Sequence, residues 1–595
     1  MFGNEKIEVL YRYLTRFTHR LSERQLMILL SLIVGLIAGM GTFVFEMLLH
    51  FIKTGLTSWF RVNTASLMYF VYPVIGIILT TLFVRYVIRD GISEGVMRVL
   101  YAMSRRNSKI RPHNCYSSIV ASATTIGFGG SVGPEAPIVL TGAAIGSNVG
   151  SFMRLNYRNT TLLLGCGAAA ALAAIFKAPI TGVAFVLEIL MLDITSLSII
   201  PLLIAAVTAS SLIYFMSGFD PIFSVEVSDM FRLGHIPYYI LLGLICGLIS
   251  YYFTQTNTRV SALFDRLGKT YLRWLAGGGV LGLLIFLFPP LYAEGYNTLD
   301  ALMHGNIHSI FDNSLFYNYQ DEVWVVILYV VAILFFKVVA MASTTAAGGV
   351  GGSFAPSLFV GAMTGTAMAL ILNQLFGLNL PPVEFTLVGM AGVMSGVMNA
   401  PLTSIFLIAE LTGGYKLFVP LMLVAAISFA ISYYFDPYSI YTRKLGMKGD
   451  LMTHNKDKTV LMFLDMRKLI ENDFVPIYEN ATLEDVVHTV SRSRRNLFPV
   501  IDFEGELRGV VTLDDIRADM FDRGKYDNSV SDYMTVPPAV ITVDESMGAI
   551  LEKFERTGAW NLPVVDEGER YIGFVSKSKI FSAYREQLLE ISSGD

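Results

Sequence analysis

A single carboxylate lies in a segment rich in glycine and proline. Residues 127–137 read Gly-Phe-Gly-Gly-Ser-Val-Gly-Pro-Glu-Ala-Pro and contain Glu135. Glycine lets backbone N–H groups approach a ligand closely, and proline in the first turn of a helix removes an N–H that has no partner there. A helix that begins near Glu135 would therefore direct free N–H groups and partial positive charge at an anion.

The same pattern occurs a second time in the chain. Residues 348–356 read Gly-Gly-Val-Gly-Gly-Ser-Phe-Ala-Pro, and Pro137 and Pro356 lie 219 residues apart (356 − 137 = 219). Two further similar segments end in Glu188 and Glu410, 222 residues apart (410 − 188 = 222). A repeat inside an apolar chain is typical of transporters built from two halves with the binding site between them. Two glycine loops facing one anion are favoured over mere tight packing of helices through small residues.

The composition indicates a membrane protein with a soluble region at its end. The chain has 595 residues, of which 53% are hydrophobic and 15% are charged, whereas soluble domains carry roughly 25% charged residues. Charges are sparse from about residue 25 to about 440 and ordinary after about 445. The first part therefore has the composition of a membrane region.

The apolar segments differ in length. Residues 26–52 and 66–88 are long enough to cross a bilayer, which needs roughly 20 residues. Residues 136–152 and 179–191 are short and bounded by Pro or Gly. Short segments of this kind predict half-helices that end inside the membrane, where irregular backbone must be covered by protein or by a water-filled cavity.

The remaining reactive and charged residues point to no enzyme chemistry. The three cysteines lie in apolar surroundings without metal-ligand spacing, so we expect buried thiols. The N-terminal segment is basic and lacks a cleavage site, which predicts a cytoplasmic segment. A basic loop with Arg105 and Arg106 is also expected in the cytoplasm by the positive-inside rule. No nucleophile–base pair and no phosphate-binding lysine loop stand out.

These motifs resemble those of the CLC family of chloride channels and proton-coupled chloride transporters. The family's Gly-Arg-Glu-Gly-Pro motif is similar to residues 133–137, and its Gly-x-Phe-x-Pro motif is similar to residues 352–356. Its Asn-Ala-Pro-Leu-[Ala/Thr]-Gly stretch, ending in Glu, resembles residues 177–188 and 399–410. The resemblance implies inverted repeats and a homodimer in which each subunit has its own pore.

The resemblance also implies roles for individual residues. Glu135 matches the gating glutamate, whose carboxylate competes with anions for the external end of the path and leaves it on protonation. Tyr441 matches the tyrosine whose hydroxyl donates to the central anion, and Tyr438 is a second candidate. The other positions that the resemblance assigns to anion binding are Glu94, Gly95, Val96, Gly133, Ala136, Ser353 and Phe354.

Two positions depart from the family pattern. Glu94 falls where a serine usually donates to the central anion, and a charged carboxylate there would repel chloride. Three interpretations stay open: a protonated carboxyl, a carboxyl turned away, or altered ion selectivity. A shift of a few residues would instead leave Ser93 in that role.

Ile189 replaces a second glutamate that hands protons to the cytoplasm in proton-coupled members, which weakens the case for exchange. Glu188 and Glu410 are expected to be structural.

The soluble region contains a second repeat, in which short β-rich runs alternate with helices. Equivalent glycines lie 64 residues apart (573 − 509 = 64). The units resemble a tandem pair of CBS domains, which often bind adenine nucleotides through Gly-h-h-[Ser/Thr]-x-x-Asp. The first unit keeps Thr512 and Asp515, implied to contact phosphate and ribose, whereas the second has Ser576 but Lys579 in place of Asp. A nucleotide-binding pair and a purely structural, dimer-stabilising pair both stay open.

Together these features predict an all-α polytopic membrane protein with inverted repeats and broken helices, followed by an α/β CBS pair. Both termini and the CBS domains are expected in the cytoplasm. The predicted divisions are a cytoplasmic N-terminal segment (1–24), a transmembrane anion-pathway domain (25–445), a linker (446–472), a first CBS domain (473–525) and a second CBS domain (526–595).

The predicted function is passage of chloride or a similar monovalent anion through a pore gated by Glu135, channel-like or weakly proton-coupled. A proton/chloride antiporter is one alternative, and a degenerate member acting mainly as a CBS-regulated sensor is another. The expected partners are the anion as a bound ion, protons in the coupled case, membrane lipid and a second copy of the chain. The CBS pair could bind an adenine nucleotide; no required cofactor, catalytic residue, metal or nucleic acid is expected.

Overall fold

The computed structural model of the protein describes residues 21–57, 68–92, 95–192, 196–218, 232–447, 464, 466–545 and 547–592. The chain divides into two compact units, Met1–Leu451 and Met452–Asp595. Ser93 and Glu94 lie outside the described residues, as do most of the predicted N-terminal segment and much of the predicted linker.

Within its described residues, the first unit is built from helices. Nine helical segments there are long and apolar enough to cross a membrane, and three shorter apolar helices accompany them. The helices are α1 (Glu23–Thr57), α2 (Met68–Leu82), α3 (Gly95–Arg105), α4 (Asn114–Gly127), α5 (Glu135–Phe152), α6 (Tyr157–Phe176), α7 (Pro179–Glu188), α8 (Ser196–Ser217), α9 (Ile236–Asp265), α10 (Thr270–Leu287), α11 (Tyr296–Met303), α12 (Val323–Ala346), α13 (Phe354–Phe376), α14 (Pro382–Met398), α15 (Pro401–Leu411), α16 (Phe418–Phe435) and α17 (Arg443–Met447).

Helix α1 shows how the first unit meets its surroundings. Val34 and Phe45 are fully buried, whereas Leu32, Ile37 and Val44 are exposed on the same helix. A helix that is apolar on both its buried and its exposed face is typical of a membrane span. The polar backbone of such a helix is satisfied internally, as lipid requires.

Each half of the unit contains one pair of very closely packed helices. Helix α5 packs on α6 so that a side chain at Gly142 would overlap the carbonyl of Gly167. Helix α13 packs on α14 in the same way, with Gly361 against the carbonyl of Gly389. Glycine at these positions lets the backbones of antiparallel helices approach within the distance that membrane helix pairs use.

The short helices α7 and α15 cap each other. Glu410, at the end of α15, accepts hydrogen bonds from the N–H groups of Ile180 (2.9 Å) and Thr181 (2.8 Å) at the start of α7. Glu188, at the end of α7, accepts hydrogen bonds from the N–H groups of Leu402 (2.8 Å) and Thr403 (2.7 Å) at the start of α15. N–H groups at a helix start have no intrahelical partner, so each half supplies the acceptors that the other half needs.

We expect Glu188→Gln and Glu410→Gln to destabilise the membrane unit to a similar degree. Glutamine has no negative charge and only one acceptor oxygen, so each variant loses about 1–3 kcal/mol. Thermal unfolding of the detergent-solubilised chain would measure the loss. Glu322→Gln is the control, because this exposed residue precedes α12 without a side-chain cap. Reciprocal capping would be contradicted by parent-like stability of both the Glu188 and the Glu410 variants.

The second unit consists of two small α/β repeats. Its described elements are α18 (Met466–Leu469), β1 (Ile477–Tyr478), α19 (Leu483–Arg492), β2 (Leu497–Ile501), β3 (Leu507–Thr512), α20 (Leu513–Ile516), β4 (Ile541–Thr542), α21 (Met547–Thr557), β5 (Asn561–Val565), β6 (Tyr571–Ser576) and α22 (Lys577–Ser592).

The two sheets of this unit have the same topology and register. Strand β1 runs parallel to β2, which is antiparallel to β3, and β4, β5 and β6 repeat this order. Ile477 faces Val500 in the first sheet, as Ile541 faces Val564 in the second. A shared cluster of Phe474, Val510 and Phe574 links the two repeats. The 64-residue sequence repeat is therefore a repeat of structure.

Candidate functional site

The two glycine loops pair with each other where the halves of the membrane unit meet. The N–H of Gly133 donates to the carbonyl oxygen of Gly352 at 2.9 Å, and the N–H of Gly352 donates back to Gly133 at 2.7 Å. This antiparallel bridge satisfies backbone groups that lipid could not. It also brings the helices that follow the two loops, α5 and α13, to a common point.

Threonines from the preceding helices hold the loops across the repeat. The Thr125 hydroxyl of α4 accepts a hydrogen bond from the N–H of Val350 at 3.0 Å. The Thr344 hydroxyl of α12 accepts one from the N–H of Ser131 at 3.3 Å. Acceptors and donors are both 219 residues apart (344 − 125 = 219; 350 − 131 = 219). Each half therefore fixes the loop of the other.

Three helix N-termini meet at the paired loops. Helices α3, α5 and α13 begin at Gly95, Glu135 and Phe354. Gly95 lies directly against the backbone of Ala136, and a methyl group on Gly352 would come within 2.8 Å of the Ala136 Cβ. The first N–H groups of all three helices are therefore concentrated in one region, which favours negative charge. Two more of the predicted residues, Gly133 and Val96, belong to the same region, and Val96 is buried.

The Glu135 carboxylate lies among these N-termini. The residue is only 1% exposed. Its Oε1 accepts a hydrogen bond from the Tyr296 hydroxyl at 2.6 Å. Its Oε2 lies against Gly133 and near the amide of Ala355, but has no partner at hydrogen-bond geometry among the described residues. A negative group thus occupies the place that the helix termini make favourable for an anion.

Ser353 and Phe354 form the start of α13, and aromatic packing fixes them in place. Ser353 lies just before the helix, and Phe354 is its first residue. The Phe354 ring is fully buried and stacks on Phe176, the last residue of α6, with centroids 5.3 Å apart. Phe185 of α7 contacts the same ring at 6.4 Å. The second half's helix N-terminus is therefore seated on side chains of the first half.

Tyr441 reaches the same region from the end of the membrane unit. Its hydroxyl lies beside the Ser353 side chain and within electrostatic reach of Glu135. At hydrogen-bond geometry this buried hydroxyl has no partner among the described residues. Tyr438, the second candidate, packs instead against Gly446. Of the two tyrosines, Tyr441 is thus the one the fold brings to the helix N-termini.

The first unit matches the family model described as voltage gated chloride channel over residues 74–433. The chain belongs to this family, the CLC family. Two stretches of the second unit, 466–522 and 530–586, match the CBS domain. The family and the tandem CBS pair predicted from the sequence are therefore confirmed.

Related proteins match more than half of this CLC protein. A ClcB-like protein of Ralstonia nicotianae is 30% identical over 342 residues, 56% of this chain and 76% of that protein. The H⁺/Cl⁻ exchange transporter ClcA of Vibrio cholerae is 28% identical over 418 residues, 67% of this chain and 84% of ClcA.

Solved structures extend the likeness to the whole fold. A CLC-type fluoride/proton antiporter has a TM-score of 0.57 at 26% identity and covers 71% of this chain and 98% of that chain. A eukaryotic CLC transporter has a TM-score of 0.61 at 18% identity and covers 94% of this chain and 99% of its own. The predicted fold class, a polytopic helical membrane domain followed by an α/β CBS pair, is confirmed.

Tyr296 is a site residue that sequence reasoning did not find. It begins the short helix α11, outside every repeated motif, and is one of 29 tyrosines in the chain. Its contact with Glu135 spans 161 residues of sequence. The neighbouring Glu294-Gly-Tyr296 sequence has no spacing that predicts a contact with Glu135.

The predicted nucleotide residues of the CBS pair are engaged in bonds within the protein. Asp515 accepts hydrogen bonds from the N–H (2.8 Å) and hydroxyl (2.6 Å) of Thr512, which closes a capping box at the start of α20. Ser576 donates to Glu471 at 2.5 Å, and Arg495 binds the other oxygen of Glu471 at 2.5 Å. A carboxylate beside Ser576 is unfavourable for a phosphate.

A cluster of charges around Asp90 positions α3 and hence Gly95. Asp90 lies before α3 and binds Arg98 of that helix at 2.7 Å. Its carboxylate also contacts His113 (3.1 Å) and Arg111 (3.2 Å), which precede α4. Burial acts to raise the pKa of Asp90, but the hydrogen bond and charge of Arg98, with those of His113 and Arg111, hold this pKa below its ordinary value.

We expect Asp90→Asn to lower the free energy of unfolding by about 1–3 kcal/mol at pH 7. Because the pKa of Asp90 is lower in the folded protein, its stabilisation is complete above the unfolded pKa of about 3.9 and is lost as pH falls through the folded value. Unfolding midpoints at pH 7 and pH 3 would measure this. The difference between parent and variant should shrink at pH 3.

Asp265→Asn is the matched control for this prediction. Asp265 also pairs with an arginine, Arg273, at 3.5 Å, but its side chain is 76% exposed. Exposed ion pairs contribute little to stability, so the control should behave as the parent does at both pH values. Equal unfolding midpoints for Asp90→Asn and Asp265→Asn at pH 7 would argue against a stabilising role of the charge cluster around Asp90.

Proposed function

We propose that this CLC protein carries chloride or a similar monovalent anion across the membrane and that Glu135 gates the path. The observation that carries the proposal is the buried Glu135 carboxylate between the N-termini of α5 and α13, one oxygen of which has no partner at hydrogen-bond geometry among the residues that the structure describes. An ionised carboxylate is itself an anion and competes with a permeating one for the same N–H groups. Protonation removes the negative charge of Glu135, so the neutral side chain no longer competes with an anion for that position.

The central anion is proposed to bind the backbone N–H groups of Ser353 and Phe354 and the hydroxyl of Tyr441. A buried hydroxyl without a partner is costly in a low-dielectric interior, so one is found where it serves a ligand. The Tyr441 hydroxyl lies beside Ser353 and has no partner at hydrogen-bond geometry within the described part of the chain. Gly95 and Val96 at the start of α3, and Gly133 and Ala136, are proposed to complete the binding region.

Proton-coupled exchange is the second candidate. ClcA of Vibrio cholerae is an H⁺/Cl⁻ exchange transporter by name, and a fluoride/proton antiporter shares the fold. Ile189 argues for the weaker coupling, since it is 2% exposed and cannot titrate, while the adjacent Glu188 already accepts two N–H groups of α15. We therefore favour channel-like or weakly coupled passage. A reversal potential that shifts with a pH gradient would favour exchange instead.

We expect Glu135→Gln and Glu135→Ala to raise anion flux at neutral pH and to flatten its pH dependence. Glutamine resembles the protonated side chain, and alanine removes the competing group. Chloride efflux from liposomes between about pH 4 and pH 8 would measure both effects, the parent gaining flux as Glu135 is protonated at low pH.

Glu384→Gln provides the control for this experiment. Glu384 is also a buried glutamate that accepts a hydrogen bond from a tyrosine, Tyr239, but it lies at the start of α14. Its substitution should leave the pH profile of flux as in the parent. A Glu135 variant with the parent's flux and pH profile would count strongly against the gate. Absence of flux in the parent under every anion or pH gradient would favour the sensor alternative.

We also propose that two copies assemble through their membrane regions, with the termini and CBS pairs in the cytoplasm. The support is the family likeness together with the basic loop that contains Arg105 and Arg106. Deleting the residues after about 450 should leave a dimer, as measured by light scattering in detergent. A monomeric truncation would mean that the CBS pair holds the subunits together.

The two CBS units are proposed to have different roles. A nucleotide role is proposed for the first CBS unit only, where Asp515 would exchange its bonds with Thr512 for ribose hydroxyls. A structural role is proposed for the second unit, whose Ser576 is bound by Glu471.

Glu94 is proposed to tune anion affinity. Replacement by serine, Glu94→Ser, should raise that affinity at neutral pH if the carboxylate lies in the path.

A further inference from the structure

Residues 292–296, here called the strap, cross the first glycine loop and are bonded to it. The Tyr292 hydroxyl donates to the carbonyl oxygen of Gly127 at 3.0 Å. One residue later, the N–H of Ala293 donates to the carbonyl oxygen of Gly129 at 3.3 Å. Both acceptors belong to the segment that leads into Glu135, so the strap is bonded directly to the residues that precede the proposed gate.

Two lysines anchor the strap from other helices. Lys337 of α12 is fully buried and donates to the carbonyl oxygen of Ala293 at 2.9 Å, with its amine over an aromatic ring at 4.9 Å. Lys53 of α1 binds the Glu294 carboxylate at 3.0 Å. Buried ammonium groups are costly unless they are bonded, so these contacts resist displacement. The strap is thus held from both sides.

The end of the strap directs a phenol at the gate. Gly295 adopts φ 88°, a conformation that suits glycine, and packs against the ring of Phe359. The chain then enters α11, whose first residue is Tyr296. The Tyr296 hydroxyl donates to Oε1 of Glu135 at 2.6 Å. Four bonds on the three residues Tyr292, Ala293 and Glu294 therefore precede this one hydrogen bond and fix its direction.

We propose that Tyr296 is a positioning residue that holds the ionised Glu135 side chain in the anion path. The inference rests on the proposed role of Glu135 as the gate. A phenol O–H bonds more strongly to a carboxylate than to a neutral carboxyl group, so it favours the ionised, path-blocking form. When Glu135 takes up a proton, the bond weakens and the side chain is freed to leave.

The charges around Glu135 make this bond decisive. Tyr296 and Glu294 face the carboxylate from the strap side, and Tyr441 from the end of the membrane unit. Glu294 repels an ionised Glu135, while Lys53 and Lys337 lie around Glu294 and offset that repulsion. Among these groups in the described part of the chain, Tyr296 is the side chain bonded to the carboxylate at hydrogen-bond geometry.

The test is the variant Tyr296→Phe, which keeps the ring and removes the donor. A charge-assisted hydrogen bond is worth about a factor of ten or more, so flux at neutral pH should rise about tenfold. The pH of half-maximal flux should move upward by about one unit, because Glu135 then takes up a proton more readily. Chloride efflux from liposomes across a pH series would measure both.

Tyr329→Phe is the matched control. Tyr329 is buried in α12, and its hydroxyl bonds Ser314 at 3.1 Å, away from the gate. This variant loses one buried hydrogen bond as well, so it reports what lost stability alone does to flux. Its pH profile should match that of the parent. A Tyr296→Phe profile that coincides with the Tyr329→Phe profile would overturn the proposal.

A double variant separates this inference from the function on which it rests. If Tyr296 acts through Glu135, adding Tyr296→Phe to Glu135→Ala should change neither the flux nor its pH dependence. A further tenfold change in that background would also overturn the proposal, because Tyr296 would then act on the anion itself. A parent-like Glu135→Ala profile would instead refute the gate. A changed Glu135→Ala profile with an unchanged Tyr296→Phe profile would refute only the role of Tyr296.

Discussion

Two backbone hydrogen bonds between Gly133 and Gly352 bring the N-termini of α5 and α13 face to face. Each terminus carries unpaired N–H groups and partial positive charge, so the arrangement is unfavourable without a negative group between them. Glu135 supplies that group from the first turn of α5 itself. The side chain that stabilises the meeting point is therefore also the one that we propose as the gate.

The two halves satisfy each other's polar backbone because the membrane does not. Thr125 and Thr344 each bond the loop of the opposite half, and Phe354 of the second half rests on Phe176 of the first. In water, such groups could bond solvent instead, and the halves could loosen locally. In lipid, separating the paired loops of the two halves would leave several backbone polar groups unpaired at once. The repeat therefore surrounds Glu135 with loops that are bonded from both halves.

Much of the fold and part of the site follow from the sequence. The repeat offset located the paired loops, and the family motifs identified Glu135, Phe354 and Tyr441, which the structure brings to one region. Tyr296 was not predictable, because its partner is 161 residues away and no local spacing records the contact. The ion pairs of Asp90 with Arg98 and Arg111 were not predictable either, because no sequence motif marks them. In the CBS pair, the motif drew attention to Ser576 but not to Glu471, whose contact crosses 105 residues. Periodicity of apolar residues predicts helices and strands, and motifs predict the local backbone conformation. Hydrogen bonds between side chains far apart in the sequence follow no local pattern, so the sequence does not predict them.

The exchange of caps between α7 and α15 affects how the protein is made. A nascent chain that has left the ribosome only as far as residue 400 has the start of α7 in place but not Glu410, the acceptor for its first N–H groups. The first half therefore stays incomplete in the membrane until the second is translated and inserted.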